Sequence, residues 1–136
     1  MRKIIFFGIG IVLLSLAGWG IYKITKPHHN VAAEDASANI TAEKLYSEFR
    51  DSEDQANKKW IGRVIEITGS ITTISESGNY ISINLRATGE GGINCSMMKK
   101  DLDPDKKLNK GDSISIKGKC TGFLMDVNMV DCVIVK

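Results

Sequence analysis

The sequence predicts a mainly β fold: a five-stranded Greek-key barrel preceded by an α-helix, with an N-terminal transmembrane helix ahead of both. Three observations lead there. Five short runs between Arg63 and Val135 alternate apolar with polar residues, the period of two that a strand with one buried face requires. A stretch from Thr41 toward Lys59 repeats apolar residues at helical spacing, and the chain opens on a long apolar run without a charge. The organisation that follows is an anchor or signal peptide over residues 1–25, a flexible linker over 26–40, and a barrel domain over 41–136 whose leading helix covers 41–59.

Ile4 to Tyr22 holds 19 residues with no charged side chain. As a helix it reaches roughly 28 Å, about the hydrocarbon thickness of a bilayer. Arg2 and Lys3 precede it, Lys23 and Lys26 follow it, and Trp19 and Tyr22 stand where an interfacial aromatic belt lies. One reading is a retained anchor that meets the membrane through residues 4–22. The other is a cleaved signal peptide, since Ser15-Leu16-Ala17 and Gly18-Trp19-Gly20 offer small residues at cleavage-like spacing. A short basic N-terminus before an apolar run is the form of an N-in signal anchor. The expectation is a single pass with the C-terminal domain outside the cytoplasm, periplasmic in a Gram-negative cell, or secreted if the N-terminus is cleaved. The linker mixes Pro, Ala, Ser, Asn and both charges without apolar period, as a tether does. His28 and His29 within it bring no fixed third ligand for a metal.

Thr41 is placed to N-cap the leading helix, and Glu43 complements the dipole in its first turn. Leu45 and Phe49, with Ser52 and Ala56, form one face that Tyr46 widens; Glu48, Asp51, Glu53 and Asp54 take the other. This face is expected to close one end of the barrel, with Trp60 at the corner.

Strand one, Arg63 to Ile71, turns Ile65, Ile67, Gly69 and Ile71 inward. Strand two, Tyr80 to Leu85, follows a turn at Glu76-Ser77-Gly78-Asn79 and turns in Ile81, Ile83 and Leu85. The glycine-rich connection Ala87 to Gly92 lacks the ending of a phosphate loop. Strand three, Ile93 to Met97, buries Ile93, Cys95 and Met97; strand four, Ser113 to Thr121, buries Ile114, Ile116, Gly118 and Cys120. Strand five, Val127 to Val135, buries Val130, Cys132 and Ile134, with a bulge able to bring in Val127. Five strands with a helix-like insert between the third and fourth outline an OB-fold. In that insert Asp101, Asp103, Asp105 and Asp112 mimic a calcium loop, yet Lys106 stands where its sharp turn needs Gly. Asp103 and Pro104 read instead as the N-cap and first position of a short helix, so no metal site is expected.

Cys120 and Cys132 lie opposite each other if the last hairpin turns near Asp126, at a spacing that permits a disulfide. Reduced, buried thiols at Cys95, Cys120 and Cys132 fit the same pattern. The formal net charge of +2 comes from the N-terminal segment, because residues 41–136 carry 14 basic and 14 acidic side chains. Nucleic-acid binders usually carry a basic surplus. The domain contains no histidine, nucleophile elbow or paired-carboxylate motif, which argues against an enzyme, and nothing points to a cofactor.

Leu45 and Phe49 in a leading helix, then Trp60-Ile61-Gly62-Arg63, Gly69, Ile93-Asn94-Cys95, Gly111-Asp112, Gly118-Lys119-Cys120-Thr121-Gly122 and Val130-Asp131-Cys132 together resemble a group of small bacterial OB-fold proteins. These are the tRNA-anticodon-binding-domain-like (tRNA_anti-like) proteins, and the resemblance spans Ala42 to Val135. Arg63 stands where the family more often has Lys, and Trp60 where Tyr is commoner. The resemblance implies an envelope protein, secreted or anchored, of undetermined function. The expected function is a non-catalytic, membrane-tethered binding module facing the cell envelope, its partner an envelope protein or small ligand. The alternative that the fold and family name imply is binding of single-stranded nucleic acid. Aromatic platforms and a basic groove would serve that role, which nominates Tyr80 and Phe123 for stacking and Arg63, Arg86, Lys117 and Lys119 for charge.

Overall fold

The computed structural model describes residues 31–135. The anchor or signal peptide expected over 1–25 lies outside them, and among the described residues no helix is long and apolar enough to cross a membrane. In chain order the elements are β1 (Asn39–Thr41), α1 (Ala42–Asp51), α2 (Glu53–Trp60), β2 (Val64–Ser77), β3 (Tyr80–Arg86), β4 (Gly92–Met98), β5 (Ser113–Phe123) and β6 (Val127–Ile134). The sheet runs β1-β2-β3-β4-β6-β5 and closes through β2 against β5. β4 and β6 pair in parallel while the other barrel neighbours are antiparallel. This five-stranded closed barrel is the arrangement expected of an OB-fold.

Closure rests on the length of β2. Val64 to Ser70 pairs with β5 and Ile71 to Ser77 pairs with β3, with the register shifting between Ile71 and Thr73 where the strand changes partner. Gly69 sits beside that point. A Cβ there would lie 2.9 Å from the Cβ of Ala42, so the missing side chain lets the start of α1 seat on the strand. Thr41 Oγ1 accepts from Lys44 N–H at the helix start, as its N-cap position predicts.

The inward residues of β2 to β5 are those the alternation predicts: Ile65, Ile67 and Ile71, then Ile81, Ile83 and Leu85, then Ile93, Cys95 and Met97, then Ile114, Ile116 and Cys120 are all buried. Leu45 and Phe49 of α1 and Ala56 and Trp60 of α2 close one end of this core.

Four features differ from the sequence reading. The leading helix is two helices, because Ser52 leaves helical geometry at φ −157°, ψ 83° and restarts the chain through Ala56 N–H to Ser52 O. The insert between β4 and β5 holds one 3₁₀ turn, Lys99–Asp101, and then a turn at Asp103. Asp103 Oδ1 accepts from Asp105 N–H and Asp112 Oδ2 from Asn109 N–H, so these carboxylates serve the loop's own backbone. The stretch read as linker adds a strand from Asn39 that pairs in parallel with Glu66 to Thr68. Finally, β6 buries Val127 and Met129, then Cys132. Asp131 at φ 52° supplies an extra residue between the two halves of the strand, and this turns Val130 outward.

A candidate ligand groove on the outer face of the barrel

The outer faces of β3 and β4 form a ladder in which Tyr80 opposes Met98, Ser82 opposes Ser96, Asn84 opposes Asn94 and Arg86 opposes Gly92. Pleating sends these side chains away from the core. Ser82 Oγ donates to Asn94 Oδ1 across the ladder. β6 lies on the other side of β4, and its bulge adds Val130 and Val133 to this surface. The result is a groove of about 520 Å³ lined by Tyr80, Ser96, Met98, Val130, Asp131 and Val133. Lys100 and Asp101 of the 3₁₀ turn form part of its rim. Its floor is therefore aliphatic and aromatic, and its rim carries both signs of charge.

Two nominated lysines stand next to it. On β5, Lys119 opposes Val130 and Lys117 opposes Val133. Lys117 Nζ donates to the carbonyls of Ala32 at 3.1 Å and Glu34 at 2.9 Å. Those residues belong to a turn that enters the groove itself, since Val31 and Ala32 complete its lining.

Of the other nominated residues, only Tyr80 belongs to this groove. Tyr80 is in the groove and 47 % exposed, but Arg86 is at the far end of β3. There it borders a second hollow of about 510 Å³ with Thr72, Asn84, Glu90 and Asp126, where the buried Asn84 Oδ1 has no hydrogen-bond partner. Arg63 is exposed at the helix-capped end, its carbonyl accepting from Cys120 N–H and its own N–H donating to Trp60 O. Phe123 is not offered as a platform. Its ring stacks on Phe49 at 5.6 Å and meets Tyr46 edge-on at 5.7 Å.

The cysteines do not pair as the hairpin count suggested. All three are buried free thiols. The β5–β6 register shifts twice and sets Cys120 opposite Met129, while Cys132 Sγ would lie 2.5 Å from a Cβ at Gly118. A thiol–thiol hydrogen bond with Cys132, reinforced by burial, pushes Cys95 well above the usual thiol range, and burial raises Cys120 to about 11. Thiols held protonated in this way are poor nucleophiles. Among the described residues no group of three His, Cys, Asp or Glu side chains could hold a metal ion.

Sequence reading missed Ser96, Val130, Asp131 and Val133 as groove residues. Alternation assigned Val130 to the core, and only the bulge position reverses it.

No curated protein matches the sequence. Among solved structures, the fold is similar to that of a lipoprotein from Klebsiella pneumoniae subsp. pneumoniae MGH 78578 whose name proposes nucleic-acid binding. The TM-score is 0.62 and the identity 16%, over 82% of this chain and 100% of that one. A protein from Leishmania major Friedlin, provisionally named an aspartyl-tRNA synthetase, matches with a TM-score of 0.50 and 11% identity, over 90% of this chain but 26% of that one. At such identities the likeness is one of fold. The model of the tRNA_anti-like family matches residues 1–134, so this chain belongs to the tRNA_anti-like family of OB-fold proteins.

Proposed function

We propose that the protein is a non-catalytic binding module, tethered to a membrane by residues 4–22 and facing the cell envelope, that takes its ligand in the groove between β3, β4 and β6. The observation that carries this reading is the groove's chemistry. Met98, Val130, Val133 and Tyr80 offer apolar area, while Lys100, Asp101 and Asp131 offer short-range polar selection. Binding sites combine these two elements. The lipoprotein character named for the Klebsiella relative, and the apolar run at the start of this chain, support an envelope location.

The second reading is single-stranded nucleic acid. It is favoured by one exposed aromatic, Tyr80, in the same groove that Lys117 and Lys119 flank, and by the name of the Klebsiella relative. The carboxylate of Asp101 on the rim opposes a phosphate chain, so the first reading is preferred.

Site-specific photo-crosslinking in intact cells tests it. A benzophenone amino acid at Ser96, inside the groove, is expected to give a discrete adduct. The same group at exposed Glu53 on α2 is expected to give none. Equal labelling from both positions, or none from Ser96, contradicts a groove-bound ligand.

A further inference from the structure

One wall of the groove is a segment of this chain, with Val31 and Ala32 among the lining residues. Val31 is 2% exposed, whereas Ala32, Ala33, Glu34 and Asp35 after it are exposed. The segment closes a turn through Glu34 N–H to Val31 O at 3.3 Å. Lys117 Nζ then holds two of its main-chain carbonyls, those of Ala32 and Glu34. Further along, Ser37 donates its N–H and its hydroxyl to Val64 O at 2.9 and 2.8 Å, and Ala38 O accepts from Glu66 N–H. The segment is thus fastened at one end by the sheet, and toward the other by the buried Val31 and the Lys117 ammonium.

That is how a surface recognises a polypeptide: a pocket selects one side chain while a cation reads main-chain carbonyls, which every sequence presents. Burial of one aliphatic side chain is a small contribution that a competing segment can replace. We infer that the groove is a polypeptide-binding site, and that a partner segment bearing a branched aliphatic residue binds by displacing Val31 to Glu34. The inference rests on the groove reading above and names its ligand class. It also links the tether to the site, because the displaced segment is continuous in sequence with the N-terminal segment.

The test uses the full chain in detergent micelles and a fluorescent peptide of its own residues 30–38. Val31→Asp should eject the strap, seen as faster hydrogen exchange over residues 31–37. The vacated groove should then bind the peptide when titrated to about millimolar, the effective concentration a short tether supplies. The unsubstituted chain, its own strap seated, should bind at least about tenfold more weakly. Adding Lys117→Met to Val31→Asp should abolish binding. If Val31→Asp impairs folding, Val31→Ser serves, because it removes the aliphatic anchor without introducing a charge. Unchanged exchange over 31–37 overturns the anchoring role of Val31. Faster exchange without peptide binding overturns the polypeptide assignment, while a crosslink from Ser96 would still leave a groove ligand of another class. Oligonucleotide binding by the strap-ejected chain, in place of peptide, likewise overturns it.

Discussion

Glu48 joins the two helices at a single carboxylate. Its Oε2 accepts from Trp60 Nε1 at 2.7 Å and from Lys59 Nζ at 2.9 Å, and Lys59 also lies 4.5 Å above the Trp60 ring. Partial burial works to raise its pKa, but the hydrogen bonds from Lys59 and Trp60 and the charges of Lys59 and Lys44 outweigh it and hold the group below the ordinary value of 4.5. A carboxylate depressed on folding stabilises the native state above its unfolded pKa and loses that contribution as pH falls through the folded one. Glu48→Gln is therefore expected to cost on the order of 1 kcal/mol at neutral pH, given the half-exposed lysine. Denaturation midpoints measured from pH 7 to 3 should show the gap between the two proteins closing below pH 4.5. A gap that stays constant with pH would mean that the carboxylate's charge is not what stabilises the junction. At this scale the sequence was legible wherever alternation held, from Ile65 to Cys120. It misled at Val130, because the extra residue at Asp131 breaks the phase between buried Met129 and buried Cys132, and no pattern of residue types announces it.

Among the elements, α1 caps the core. It closes the barrel end with Leu45 and Phe49, Phe49 stacks on Phe123, and Tyr46 lies on Gly91, where a Cβ would come within 2.2 Å of its ring. Phe49→Ala should cost about 3–5 kcal/mol in urea denaturation, as aromatic truncations in cores do. Phe123→Ala should also destabilise, by a smaller amount set by its partial exposure. A Phe123→Ala protein of unchanged stability would return that ring to the list of ligand contacts. The helical period was readable because apolar spacing is a local signal. The break at Ser52 was not, since an alanine, a serine or a glutamate there keeps the same pattern, and the break comes from docking both Phe49 and Trp60 on one core. β1 was hidden for a related reason: three residues are too few to show a period, and their pairing with β2 is a long-range event.

For the whole molecule, the barrel followed from five strands with an insert between the third and fourth, although the first runs on to Ser77 where the sequence reading ended it at Ile71. The groove did not, because it assembles from β3, β4, β6 and the N-terminal strap, which are distant in sequence. Of the nominated cations, Lys117 and Lys119 fall beside it while Arg63 and Arg86 lie elsewhere. Charge balance over residues 41–136 is zero, and the groove rim mixes signs. Both argue for a binding module that reads a partner's shape and main chain in preference to a phosphate backbone. Fluorescence anisotropy of the full chain with labelled single-stranded DNA and RNA, at about 50 and 200 mM salt, tests this most directly. The expected result is no binding tighter than the roughly 10⁻⁴–10⁻⁶ M of non-specific association, even at the lower salt. Tighter binding that weakens steeply as salt rises, and that falls when Tyr80, Lys117 or Lys119 is replaced, would contradict it.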